Sequence, residues 1–249
     1  MSHTPREEIA RKNPWYTDEQ FACARHPTQS KVITRRQNFI ITQIREYSHA
    51  RGRGTIRILD AGCGDGVNLH FLSRVEGAEL WGVDYNPLRV ERAQLAIRHA
   101  TILVADMTRS LPFSREYFDV ILLSQVIEHV SDDVQLLQSL SSVLKPSGIM
   151  ILGTPNEGCM IARLRNHLFE PQIARTTDHV NFYTEKRILR LIECCGFRVR
   201  SVMYENFFFP ISRANAYFAS REWGIRLMEL LGRMFRSQVG GYYYTLTKQ

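Results

Sequence analysis

Long hydrophobic runs are missing from this chain. No apolar stretch approaches the ~18–20 residues that a membrane-crossing helix requires, and the opening MSHTPREEIARKNPWY is charged where a signal peptide would be greasy. A soluble, cytoplasmic protein is expected. Cysteine is scarce and badly spaced for structural chemistry. The five present, Cys23, Cys63, Cys159, Cys194 and Cys195, are odd in number and form no CxxC pair, which argues against a disulfide framework or a zinc site. Apolar residues as a class are not lacking. With 249 residues, 44% of them hydrophobic, the chain can bury a full core as one large domain or as one domain with appendages.

Charge is distributed unevenly. Residues 1–55 carry 10 basic and 5 acidic side chains, residues 56–155 carry 8 and 12, and residues 156–249 carry 14 and 8, which together give the net +7. An acidic middle with basic flanks hints at an anionic substrate or surface, with a solvated arginine-rich exterior as the plainer reading.

The middle opens on ILDAGCGDG, Ile58 to Gly66. An apolar strand runs there into a glycine turn that lets a ligand approach bare backbone. The spacing is GxGxG rather than the GxGxxG of dinucleotide sites, and the acid ahead of it, Asp60, suits a ligand carrying a cationic group better than a pyrophosphate. AELWGVDYNP then predicts a second strand ending in Asp84, placed to accept ribose hydroxyls, and Pro87 starts a helix to about His99. TILVAD ends a third strand at Asp106, and YFDVILLSQ predicts a buried fourth ending at Ser124 and Gln125. A helix over Val134–Leu144 stops at KPSG, and IMILGTPN follows as the fifth strand.

In these residues the chain resembles the class I S-adenosylmethionine-dependent methyltransferases, in their small-molecule (type 11/23-like) branch. The acidic-x-Gly-x-Gly-x-Gly motif is matched by Asp60, Gly62, Gly64 and Gly66, and the LKPSGIMILGTPN block by the family's late strand. The resemblance covers roughly Thr55 to Asn156, with a weaker match through Phe197. It implies a Rossmann-like sheet of seven mostly parallel strands with helices on both faces, an antiparallel last strand and helical insertions. It also implies S-adenosyl-L-methionine as cofactor and methyl transfer to oxygen or nitrogen of a small acceptor, sugar-linked, quinone-like or another secondary metabolite, with the basic flanks pointing to an anionic one. Asp60, Gly62, Cys63 and Gly64 would hold the methionine end and Asp84 with Tyr85 the ribose. Asp106 and Met107 would hold the adenine, with Ser124 and Gln125 closing the site. Cys63 is read as a structural member of that loop rather than a nucleophile.

VIEHVSDD follows the fourth strand and resembles the EHV segment of ubiquinone-biosynthesis O-methyltransferases, in which an earlier Glu joins it around a divalent metal. That position is Gln125 here, a poor hard-cation ligand, so no metal is expected. Glu128 and His129 are the candidates for proton removal, and DHVNFYT adds His179 as a second candidate base. The expected domains are an N-terminal arm and helix over residues 1–54, with Trp15 or Tyr16 able to cover the cofactor, and a methyltransferase domain over residues 55–249. Insertions at about 157–177 and 207–238 would form a cap. Arg163, Arg165, His167 and Arg175 in the first could grip a phosphate or carboxylate. The second places Trp223, Leu227, Leu230, Leu231 and Met234 on one helical stripe, favoured as a packed cap or homodimer face over a membrane-surface helix. No nucleic-acid partner is expected. A nucleic-acid methyltransferase, an NAD-dependent oxidoreductase and a non-catalytic cofactor-binding scaffold are the rival readings.

Overall fold

The computed structural model describes residues 20–21, 27–52, 54–172 and 177–249. The expectations for Trp15, Tyr16, Cys23 and Arg175 lie outside these residues. Seven strands, β1 (Ile56–Ala61), β2 (Ala78–Asp84), β3 (Thr101–Val104), β4 (Phe118–Ser124), β5 (Leu144–Pro155), β6 (Phe197–Tyr204) and β7 (Gly241–Lys248), form one sheet in the order β3-β2-β1-β4-β5-β7-β6. β1 to β5 pair in parallel, and β7 runs antiparallel to both β5 and β6. The helices are α1 (Pro27–Arg51), α2 (Val67–Leu72), α3 (Pro87–Ala96), α4 (Asp133–Val143), α5 (Met160–Leu164), α6 (Glu185–Cys194), α7 (Ser212–Ala219) and α8 (Glu222–Met234).

Period-two alternation builds a core on each face of the sheet. Val120 and Leu122 of β4, with Ile149 and Ile151 of β5, pack with Ile40 and Ile44 of α1 and Val90 of α3. Their neighbours Ile121, Leu123, Met150 and Leu152 pack on the other side with Leu136 and Leu140 of α4 and Ile188 of α6. A strand covered on both faces must be apolar at every position, which is why β4 reads as a continuous hydrophobic run. Helix starts follow local chemistry. The Asn86 side chain accepts from the Leu88 amide with Pro87 in the first turn, and Asp132 accepts from the Gln135 amide.

One element differs from the sequence reading. The KPSG segment does not separate α4 from β5; the strand already begins at Leu144, which pairs with Phe118, and the register shifts before Ile149 pairs with Val120. Its Pro and Gly mark a strand irregularity rather than a stop. In α8, Gly224, Met228 and Gly232 take the buried positions, and of the expected stripe Trp223, Leu230 and Met234 are exposed while Leu227 and Leu231 are half-buried.

At the amino-terminal edge of the sheet sits Asp119, which is 1% exposed. Its carboxylate accepts from Lys145 Nζ at 2.8 Å, the Arg57 amide at 3.0 Å, Tyr47 Oη at 3.5 Å and the Arg51 guanidinium. One buried anion thus ties the end of α1 to the starts of β1 and β5. Removing it strands two cations and an amide donor, whereas removing Lys145 leaves Arg51 in place. Asp119→Ala is expected to cost about 3 kcal/mol or more and to lower the melting temperature by roughly 10 °C, with Lys145→Ala costing less than half as much. Scanning calorimetry checks this, and unchanged melting of Asp119→Ala would refute it.

Candidate active site

The sheet order reverses between β1 and β4, and a crevice opens at the carboxyl ends of strands at such a point. A cavity of about 580 Å3 lies there. Its floor is the glycine turn after β1. Gly62 has φ of +82° and Gly64 of +55°, and a Cβ on Gly62 would penetrate the side chain of Val126, so no other residue fits. The turn is pinned to β2: the Gly62 and Cys63 amides donate to Val83 O at 2.8 and 2.9 Å, and the Gly64 amide to Asp84 Oδ2 at 2.9 Å. Asp84 Oδ1 accepts from the Asn86 amide at 2.8 Å.

Asp60 lies beneath the turn, fully buried, with Oδ1 accepting from Asn68 Nδ2 at 3.2 Å and Oδ2 without a partner among the described residues. Burial raises its pKa to about 7; the Asn68 hydrogen bond opposes this and the charge of Asp84 adds to it. Burial likewise pushes the Cys63 thiol far up, with Asp60 reinforcing it, so it is inert as a nucleophile. Asp106 behaves oppositely. Hydrogen bonds from Thr108 lower its pKa despite partial burial, with help from Arg109.

Of the expected cofactor residues, Gly62, Cys63, Asp84, Tyr85, Asp106, Met107, Ser124 and Gln125 border the cavity; Asp60 and Gly64 stand behind that wall. Of the three expected bases only His129 borders it, with Nδ1 3.2 Å from Asp178 Oδ2. Glu128 is not on the wall. It is buried, its carboxylate accepts from Thr154 Oγ1 at 3.5 Å, and burial raises its pKa. Its backbone carbonyl accepts the Val180 and Asn181 amides, which stitches DHVN onto EHV. His179 also stands off the wall, with Nδ1 2.5 Å from Glu157 Oε2. Burial alone would lower its pKa, but Glu157 outweighs that and leaves it raised. One donor atom each from Glu128, His129 and His179 nevertheless come within 4.8 Å of one another. A cation could be held there without any ligand from position 125, an arrangement that the sequence expectation did not consider.

Other cavity residues carry no sequence signal. Gln20 clasps the turn, its amide donating to Asp65 Oδ2 at 2.9 Å while its Oε1 accepts from the Asp65 amide at 3.0 Å. Arg36 is paired with Glu205 and lies 5.6 Å from the ring centroid of Tyr243, whose hydroxyl is 2.7 Å from Ser124 Oγ.

A family model described as a methyltransferase domain matches residues 32–202. The chain belongs to the S-adenosylmethionine-dependent methyltransferases. The ubiquinone biosynthesis O-methyltransferase of Bradyrhizobium diazoefficiens is 36% identical over 110 residues, 41% of each chain. The protein of the same name from Aeromonas salmonicida is 28% identical over 154 residues, 59% of this chain and 64% of its own. The methyltransferase thus spans about two-fifths to two-thirds of the curated relatives it matches. The fold is shared with the PH0226 protein of Pyrococcus horikoshii OT3, at a TM-score of 0.62 and 18% identity over 97% of this chain and 99% of that one. A SAM-dependent methyltransferase of Archaeoglobus fulgidus gives 0.53 and 23% over 86% and 94%.

S-adenosylmethionine is the cofactor of this methyltransferase family, and the residues present fit it. The turn's bare backbone leaves room for close approach, Asp84 and Asp106 border the cavity, and Asp60 behind the turn has an oxygen without a partner among the described residues. Replacing Asp84 by Ala releases both the Gly64 and Asn86 amides as well as any ribose contact, so the cofactor Kd should rise ten- to a hundredfold, about 1.4–2.7 kcal/mol, by titration calorimetry. Asp60 makes a separate prediction. Its folded pKa lies above the unfolded value, so the native state keeps a proton that the unfolded chain loses, and stability falls as pH rises from about 4 to about 7. Asp60→Asn removes that slope. Relative to the variant, the wild type should lose up to about 4 kcal/mol across this window in urea unfolding, and parallel pH profiles would contradict the assignment.

Proposed function

We propose that this methyltransferase moves a methyl group from S-adenosylmethionine to a hydroxyl oxygen of a small, uncharged acceptor. The observation that carries the reading is His129 on the cavity wall beside Asp178, with Nδ1 3.2 Å from its carboxylate. The names of the relatives, O-methyltransferases of ubiquinone biosynthesis, support oxygen over nitrogen.

When bound, the cofactor supplies an electrophilic methyl group on a positively charged sulfur. The chain's own residues do the rest. With Asp178 Oδ2 3.2 Å from its Nδ1, His129 in the Nδ1–H tautomer leaves Nε2 as the base. Nε2 takes the acceptor's hydroxyl proton as the oxygen attacks, and the carboxylate stabilises the resulting imidazolium. Ser124 and Tyr243, joined by their hydrogen bond, form a neutral polar stretch of wall, since burial raises the Tyr243 pKa and keeps it a phenol. The basic flanks contribute only Arg36 to the wall, which with Arg89 of the acidic middle stands against Asp84, Asp106 and Asp178, and Arg36 is paired with Glu205. A neutral or phenolic acceptor therefore suits the site better than an anion.

His129→Ala should lower kcat about a hundredfold or more with the cofactor Kd unchanged, and Asp178→Asn should lower it less. Both losses should shrink for acceptors whose hydroxyl is already ionised. Mass-shift assays over a panel of phenols of different acidity test this. Full activity of His129→Ala on a weakly acidic phenol would overturn the role given to the imidazole.

A further inference from the structure

Helix α8 is joined to the body through two glycines and one methionine. Gly224, Met228 and Gly232 recur every fourth residue on its buried face. A Cβ on Gly224 would strike the Phe218 backbone, and one on Gly232 would come within 3.1 Å of the Phe207 nitrogen. Three large apolar residues are turned outward, Trp223 53%, Leu230 54% and Met234 65% exposed, while Met228 is buried and Leu227 and Leu231 are half-buried. Arg226 and Arg233 share this outer side, and among the described residues neither has a carboxylate within ion-pair distance. Between Phe207 and Gln238 the chain has five arginines against two glutamates, and one of those, Glu229, lies 3.8 Å from Arg35.

A monomer that exposes a contiguous aromatic and aliphatic stripe has a partner for it. We propose that the outer face of α8 is a docking surface for an anionic lipid bilayer. The helix lies in the interface plane with Trp223, Leu230 and Met234 at the headgroup boundary and Arg226 and Arg233 against lipid phosphates. Charge complementarity argues for this occupant, because over Phe207 to Gln238 the arginines outnumber the glutamates, although α8 itself carries Glu222 and Glu229 beside Arg226 and Arg233. The attachment is peripheral, since among the described residues no helix is long and apolar enough to cross a membrane. It is also placed for use. The segment holding α7 and α8 leaves the sheet at Tyr204 and returns at Gly241, which pairs with Pro155 at the carboxyl end of β5. That is the edge on which the cavity opens.

The test is flotation of the full chain with vesicles of phosphatidylcholine alone and of phosphatidylcholine with about a third phosphatidylglycerol. The wild type should float with the anionic vesicles only, and less as salt is raised. The emission lost in Trp223→Phe should shift to the blue when anionic vesicles are added. Leu230→Ser with Met234→Ser, and separately Arg226→Gln with Arg233→Gln, should each lower partitioning about tenfold or more while leaving cofactor affinity unchanged. Failure of the wild type to float, or equal flotation of wild type and variants, overturns the proposal. So does a Trp223-dependent dimer seen by light scattering without vesicle binding, which would make the face a contact between copies.

Discussion

Everything at the site depends on the closure of one turn against the neighbouring strand. A parallel sheet that reverses its order leaves a crevice, but a crevice becomes a binding site only if the loops around it hold their shape. Here Val83 O and the Asp84 carboxylate take three consecutive amides of the turn after β1, and the other Asp84 oxygen fixes the start of the next turn. The glycines permit the shape, and the hydrogen bonds from the end of β2 enforce it.

Four aspartates near this sheet do four different things, and environment alone separates them. Asp119 is buried among cations and holds elements together. Asp60 is buried beside an amide and resists ionising. Asp84 accepts two backbone donors and still borders the cavity. Asp106 is partly exposed and braced by Thr108, so it ionises more readily than an ordinary carboxyl. Residue type says nothing of this; the number of donors aimed at each carboxylate and its access to water decide it.

The strands and the acids at their ends were legible because each rests on a local pattern: an apolar run, a turn, a polar residue at the mouth. What stayed hidden is nonlocal. Arg36 meets Glu205 across 169 positions and Ser124 meets Tyr243 across 119, and no spacing rule links such pairs. Glu128 and His129 are adjacent in sequence, yet the turn of 3-10 helix at Ile127–His129 sends one inward and the other to the cavity. In α8 the periodicity of the apolar stripe was visible but its direction was not. The glycines on the opposite side set it, because only they allow the backbone to come close. KPSG misleads for a related reason: Pro and Gly mark an interruption of regular geometry without saying whether the strand ends or bulges.

The position of Asp119 has one more consequence. The charged cluster that locks α1, β1 and β5 together is at the amino-terminal edge of the sheet, and the cavity is at the opposite edge, with the full length of the strands between them. Rigidity and chemistry are thereby insulated from each other. The cavity's loops can change shape, or be replaced to suit a different acceptor, without loosening the clamp that keeps the strands in register. The fold is in that sense a chassis with its fastening at one end and its working face at the other.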